Sequence, residues 1–174
     1  MRTQNFGIAV LIVAAVLLIP IFSPCLALQV EEMRSGVKLY QAPVKEGDEF
    51  VIEFVHSVER TPVKEIFKIE QDYNIYLVGT EYESFGAGLP TMPCEGEESV
   101  LEGGKIRITG IRRKLEPFLV AVSHVPGHVL TVGGEEVVLA SLAEPGTGLR
   151  IRVVREPAVV RFLGRRYEWM RRQS

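Results

Sequence analysis

Beyond Ser35 the apolar residues fall in short runs of Val, Ile, Phe and Tyr that alternate with polar neighbours. Clusters of Gly, Pro and Asn interrupt them about every 8–12 residues, which is strand periodicity and all-β spacing. Strands are expected near Val37–Tyr40, Glu49–Ser57, Val63–Gln71, Asn74–Tyr82, Lys105–Ile111, Phe118–Ser123, His128–Val132, Glu135–Leu142 and Leu149–Glu156. Asp72-Tyr73, Gly103-Gly104, Val125-Pro126-Gly127, Gly133-Gly134 and Glu144-Pro145-Gly146-Thr147-Gly148 supply the turns. The pattern predicts an all-β domain, either a β-sandwich or a partly open barrel. Val159–Met170 allows a short terminal helix.

The beginning of the chain breaks this rhythm. Phe6 to Leu28 is one apolar run, and no charge occurs from Thr3 to Val30. As a helix the run would measure about 35 Å, enough to cross a hydrocarbon core of about 30 Å. Arg2 before it and Glu31-Glu32 after it would hold the N-terminus in the cytoplasm and the domain outside. A secretory signal fits the same residues. Pro20 would end the apolar stretch, and Cys25-Leu26-Ala27 offers small residues for cleavage after Ala27. Both readings imply export, to the outer face of the cytoplasmic membrane or as a released periplasmic or secreted protein. The expected division is a leader or transmembrane anchor over 1–30, an exported β domain over 31–158 and a basic tail over 159–174.

Composition narrows the class. The chain has 174 residues, 47% of them hydrophobic, with two cysteines and a formal net charge of −2. That supports one hydrophobic core and excludes a disordered chain, a disulfide-stapled miniprotein and a polytopic transporter. So small a charge does not suit a general nucleic-acid binder. Cys94 would stand alone if Cys25 were removed with the leader, and it is read as a small buried loop residue.

Charge is nevertheless segregated along the chain. Residues 31–102 carry 16 acids and 6 bases, and residues 103–174 carry 6 acids and 13 bases. Acidic strands are therefore expected to pack beside basic ones. Arg161, Arg165, Arg166, Arg171 and Arg172, interleaved with Phe162, Tyr167 and Trp169, offer a further surface for anionic lipid or a partner.

One hairpin concentrates the candidate chemistry. With a turn at Glu59-Arg60-Thr61-Pro62, centred between Arg60 and Thr61, His56 would face Glu65, Phe54 would face Phe67 and Ile52 would face Ile69. A His–Glu pair at the end of an apolar face can brace the hairpin, bind a ligand or metal, or act as an oriented base. Ser57 and Ser84 are nucleophile candidates only if the fold brings His56 beside one of them. No nucleophile elbow supports that arrangement. Gly86 and Gly88, followed by Pro90, make either a tight corner or a backbone nest for an anion. His124 and His128 are split by Pro126-Gly127, so they do not share a helix face. The sequence assigns no catalytic residue, no metal ligand set and no cofactor.

His56-Ser57-Val58, Pro62-Val63-x-Glu65 and Ser84-Phe85-Gly86-Ala87-Gly88-Leu89-Pro90, following an apolar leader, together carry a family resemblance. In this respect the chain resembles an uncharacterised prokaryotic family, domain of unknown function 1850, roughly from Gly36 to Arg155. The resemblance implies a small exported or membrane-anchored protein, often encoded beside tripartite ATP-independent periplasmic (TRAP) transporters with TAXI-type receptors. An accessory or binding module is then expected, with the transporter permease or its solute receptor as partner. His56, Ser57, Glu65, Ser84, Gly86, Gly88 and Pro90 are its candidate binding residues. The alternatives are a purely structural partner of the permease, or a small exported hydrolase or metal-dependent enzyme using His56 and Glu65.

Overall fold

Eleven strands and one 3₁₀ turn make up the regular structure of the residues that the computed structural model describes, 24–58, 60–83, 93–123 and 127–157. In chain order they are β1 (Pro24–Glu32), β2 (Lys38–Val44), β3 (Glu49–Val55), β4 (Pro62–Ile69), β5 (Ile75–Tyr82) and β6 (Glu98–Glu102). After these come β7 (Lys105–Leu115), β8 (Phe118–Ala121), β9 (Val129–Val132), β10 (Glu135–Val138), the 3₁₀ turn Leu139–Ser141 and β11 (Gly148–Pro157). Two sheets result. The smaller has the order β2-β1-β11-β8 and the larger the order β10-β9-β3-β4-β5-β7-β6. Neighbours in the larger sheet are antiparallel throughout. The sheets stay open and sandwich-like and do not close into a barrel.

Turn chemistry fixes two of the hairpins. Gly103 and Gly104 have φ of 59° and 81°, and Gly133 and Gly134 have φ of 58° and 81°. Left-handed backbone at both turn positions is the type I′ requirement, which only glycine meets without strain. These turns close β6 on β7 at Glu102↔Lys105 and β9 on β10 at Val132↔Glu135.

Alternation then sorts the side chains. On the inner face of the larger sheet, Phe50 stacks on Phe67 with centroids 5.1 Å apart. Phe118 of β8 packs on both rings, at 6.4 Å and 4.8 Å, and joins the two sheets. The outer face is a charged surface. Glu53, Lys64, Glu81 and Arg107 lie side by side across β3, β4, β5 and β7. Lys64 reaches Glu53 at 3.2 Å and Arg107 reaches Glu81 at 2.8 Å. The Arg107–Glu81 and Arg112–Glu70 pairs, and those of Arg150 and Arg152 with Glu31, join the basic half of the chain to its acidic half. The expected packing of acidic beside basic strands is thus observed.

Two findings bear on the residues that follow the described start and on the loops. Residues 24–30, expected within the leader, belong to β1, whose Ala27, Leu28 and Val30 are buried core residues. Buried Glu31 follows on the same strand and binds Arg150 at 3.1 Å and Arg152 at 2.8 Å. Cys94 is exposed rather than buried. It sits in a tight turn in which its N–H donates to the Glu97 carboxylate at 2.9 Å and Glu97 N–H donates to its carbonyl at 3.0 Å.

The chain divides into two compact units, 27–154 and the pair of segments 1–26 and 155–174. Within the described part of the second unit, the Cys25 thiol donates to the Glu156 carbonyl at 3.2 Å. No helix among the described residues is long and apolar enough to cross a membrane. Residues 6–23 of the apolar run, the arginine-rich tail and the helix expected at Val159–Met170 lie outside the described residues.

Candidate functional site

The β3–β4 hairpin forms, but in a different register from the one expected. Phe50 faces Phe67, Ile52 faces Glu65, Phe54 faces Val63 and Val55 faces Pro62. His56 N–H donates to the Thr61 carbonyl at 2.9 Å, and Arg60 N–H donates to the His56 carbonyl at 2.8 Å. The turn is therefore the four-residue loop 57–60, ending in left-handed Arg60 at φ 56°. Pro62 is the first strand residue and not a corner, a place where a missing N–H costs little.

Relative to the expected pairing, one strand has slid by four residues. Four is even, so every side chain keeps its face while every partner changes. The observed register gains the Phe50–Phe67–Phe118 cluster and sets Glu49 opposite Lys68 and Glu53 opposite Lys64 on the outer face. His56 and Glu65 consequently do not face each other. His56 ends the hairpin opposite Thr61, and Ser57 lies exposed in the loop.

Glu65 instead interrupts an apolar row. Across β9, β3, β4, β5 and β7 the inner face runs Leu130, Ile52, Glu65, Thr80, Ile108. Its four companions are buried. Burial pushes the Glu65 carboxyl above the ordinary value, and the Arg113 guanidinium only partly offsets that. The next row toward the turn holds Phe54, Val63, Tyr82 and Ile106.

His128 joins that second row just before β9. Its ring lies 5.2 Å from Phe54, and burial lowers its pKa, favouring neutral imidazole. Among the described residues, two buried side-chain atoms lack a hydrogen-bond partner: His128 Nδ1 and Thr61 Oγ1. A buried polar atom left unpaired costs roughly 1–3 kcal/mol. Both residues lie at the turn end of the inner face, Thr61 opposite His56 and His128 beside Phe54, so the cost is concentrated at one end.

The polar end of this face thus comprises His56, Thr61, Glu65, Thr80 and His128 around Phe54 and Tyr82. Sequence reading found His56 and Glu65 and placed both on this face. Thr61 was read as turn, and His128 was paired with His124, which lies outside the described residues along with Ser84, Gly86, Gly88 and Pro90. The signal that could have found His128 was its position just ahead of an alternating strand. Among the described residues, no group of three or more His, Cys, Asp or Glu is arranged to hold a metal ion.

Two concavities among the described residues contain none of the sequence candidates. One of about 290 Å³ lies between Tyr73, Leu115, Pro117, Phe118, Arg150 and Arg152. The other, about 540 Å³, is polar and lined by Glu46, Lys68, Glu70, Asp72 and Arg112. Glu70 and Asp72 are already engaged. Arg112 binds Glu70 at 2.6 Å, and hydrogen bonds from Asn74 and Tyr76 hold the Asp72 carboxyl down to about 2.

Fold and site together define an open, antiparallel two-sheet β-protein whose larger sheet carries a polar cluster at one end of its inner face. The chain belongs to the family described as Domain of unknown function (DUF1850), which matches residues 50–139. The matched range takes in nearly all of the larger sheet together with β8, and leaves out β1, β2 and β11. No curated protein and no solved structure matches the chain.

Proposed function

We propose that this chain is an exported, membrane-anchored accessory and binding module of a TRAP-type solute transporter, with the turn end of the inner face as its docking or ligand site. The observation that carries the site is the pair of buried, unpartnered atoms Thr61 Oγ1 and His128 Nδ1 at the turn end of the inner face. A partner or ligand supplying hydrogen bonds at this end of the face would satisfy both.

Retention of the leader as an anchor is favoured by β1. Cleavage after Ala27 would cut this strand between two buried residues and leave a charged amine at Leu28 in the core. Residues 6–23 remain for a span of roughly 27 Å as a helix, near the short end of what crosses a bilayer. Arg2 on one side and Glu31-Glu32 on the other support a cytoplasmic N-terminus and an outward-facing domain. The transporter association rests on what membership of this family implies.

The test is co-purification of the tagged full-length protein from membranes in mild detergent, with mass spectrometry of what accompanies it. The permease or solute receptor should be recovered with wild type and lost with the folded double variant Thr61→Val/His128→Leu. Recovery of the chain alone, from membranes that contain the permease, would overturn the transporter reading. Equal recovery with the double variant would remove the site from it.

A further inference from the structure

Among the described residues β6 is the outermost strand of the larger sheet, hydrogen-bonded to β7 on one side. All five of its residues are exposed, with Leu101 at 72% and Val100 at 53%. A two-residue I′ turn closes on a pair that exchanges both ladder hydrogen bonds, here Glu102↔Lys105. The alternation of antiparallel ladders puts Val100↔Arg107 and Glu98↔Thr109 in the same class. Ser99 and Leu101 therefore direct their N–H and C=O groups away from β7, along the open edge. Such a row is a template for one more strand.

Charge selects what that strand would be. Glu98, Val100 and Glu102 share one face of β6, and Ser99 and Leu101 share the other. The nearest bases on β7 are turned to another acid: Arg107 binds Glu81 at 2.8 Å and Lys105 lies 3.6 Å from it. A second copy of β6, paired antiparallel about Val100, would set Glu98 opposite Glu102 twice, a like-charge clash at both ends. A strand that sets basic residues opposite Glu98, Val100 and Glu102 and apolar ones opposite Ser99 and Leu101 meets no such penalty.

We propose that the free edge of β6 docks an extended segment of a partner protein in which basic residues alternate with apolar ones, added as a further strand of the larger sheet. Main-chain hydrogen bonds to Ser99 and Leu101 supply the attachment, and Glu98 and Glu102 supply the selectivity. The inference goes beyond the transporter reading and stands independently of it.

The full chain in nanodiscs is titrated into a fluorescent seven-residue peptide of alternating Lys and Val at near-physiological salt, and anisotropy is recorded. Saturable binding is expected, weakened at least tenfold by Glu98→Lys/Glu102→Lys. Leu101→Pro removes an N–H that faces the open edge while sparing the β6–β7 ladder, and should also weaken binding at least tenfold. Leu101→Ala should bind like wild type. The same peptide N-methylated at alternate residues should not bind. The proposal is overturned by absence of saturable binding, or by equal binding of the N-methylated peptide, which would mean attraction by charge alone. Undiminished binding by folded Leu101→Pro, or a dimer of the chain that Leu101→Pro dissolves, would overturn it too.

Discussion

Phe50 faces Phe67 across the β3–β4 ladder with ring centroids 5.1 Å apart, and Phe118 from the smaller sheet closes over both. Register and sheet packing are thereby decided at one point. Phe67→Ala should cost about 3–5 kcal/mol in urea unfolding, the usual range for emptying a buried aromatic site. A loss under about 1 kcal/mol would mean that the cluster does not hold the sheets together.

Glu65 makes stability depend on pH in a defined sense. Its folded carboxyl titrates above its ordinary value of 4.5, so between the unfolded and the folded pKa the native state holds more protons than the unfolded one. Stability contributed by protonated Glu65 is then present at low pH and lost as pH rises through the folded pKa. Glu65→Gln, which cannot ionise, should be the more stable protein at pH 7, and its advantage should shrink toward pH 4. Unfolding curves at several pH values check this, and an advantage independent of pH would contradict it.

Glu31 and its two arginines should respond unequally to substitution. The carboxylate is buried, whereas Arg150 and Arg152 are 40% and 51% exposed and can rehydrate. Arg150→Ala/Arg152→Ala strands a buried charge and should cost about 3–5 kcal/mol. Glu31→Gln should cost less, about 1–3 kcal/mol, because it leaves no charge behind. The reverse order in denaturant unfolding would contradict this account.

Asp72 is held at a pKa of about 2 chiefly by its hydrogen bonds from Asn74, with Tyr76 adding to them. Asn74→Ala removes the side-chain part of that support. The Asp72 carboxyl should then move up toward its ordinary value of 3.8, a shift that carboxyl-selective NMR titration reads directly.

β1 predicts where the chain can be shortened. A protein starting at residue 24 keeps Ala27, Leu28, Val30 and Glu31 and should fold; one starting at residue 32 loses all four and should not. Circular dichroism and thermal melts of the two proteins distinguish these outcomes.

Most strands were legible because alternation and paired glycines write them directly into the chain. The nine expected strands all correspond to observed ones, with ends displaced by up to four residues. β1 was hidden because a buried strand without alternation reads like the tail of a membrane span. β6 was hidden for the opposite reason: Glu98-Ser99-Val100-Leu101-Glu102 is wholly exposed and has no buried face to impose a period. The β3–β4 register failed through its reference to the hairpin alone. Phe118, far along the chain, decides which phenylalanines meet, and no local rule contains it. Glu65 was placed on its proper face and given the wrong neighbour. Thr61 gave no signal, and His128 only its place ahead of an alternating strand, until strand pairing brought both to the turn end of the inner face.

The outer-face row Glu53, Lys64, Glu81, Arg107 alternates in sign across four adjacent strands. Each interior member answers to neighbours on both sides, so a lone reversal at Lys64 would set an acid between Glu53 and Glu81 and turn two favourable juxtapositions into two like-charge ones. Divergence along this row is therefore expected to proceed by matched exchanges: where one sign flips, its neighbours should flip with it, leaving a record of strand order in the amino-acid sequences of relatives.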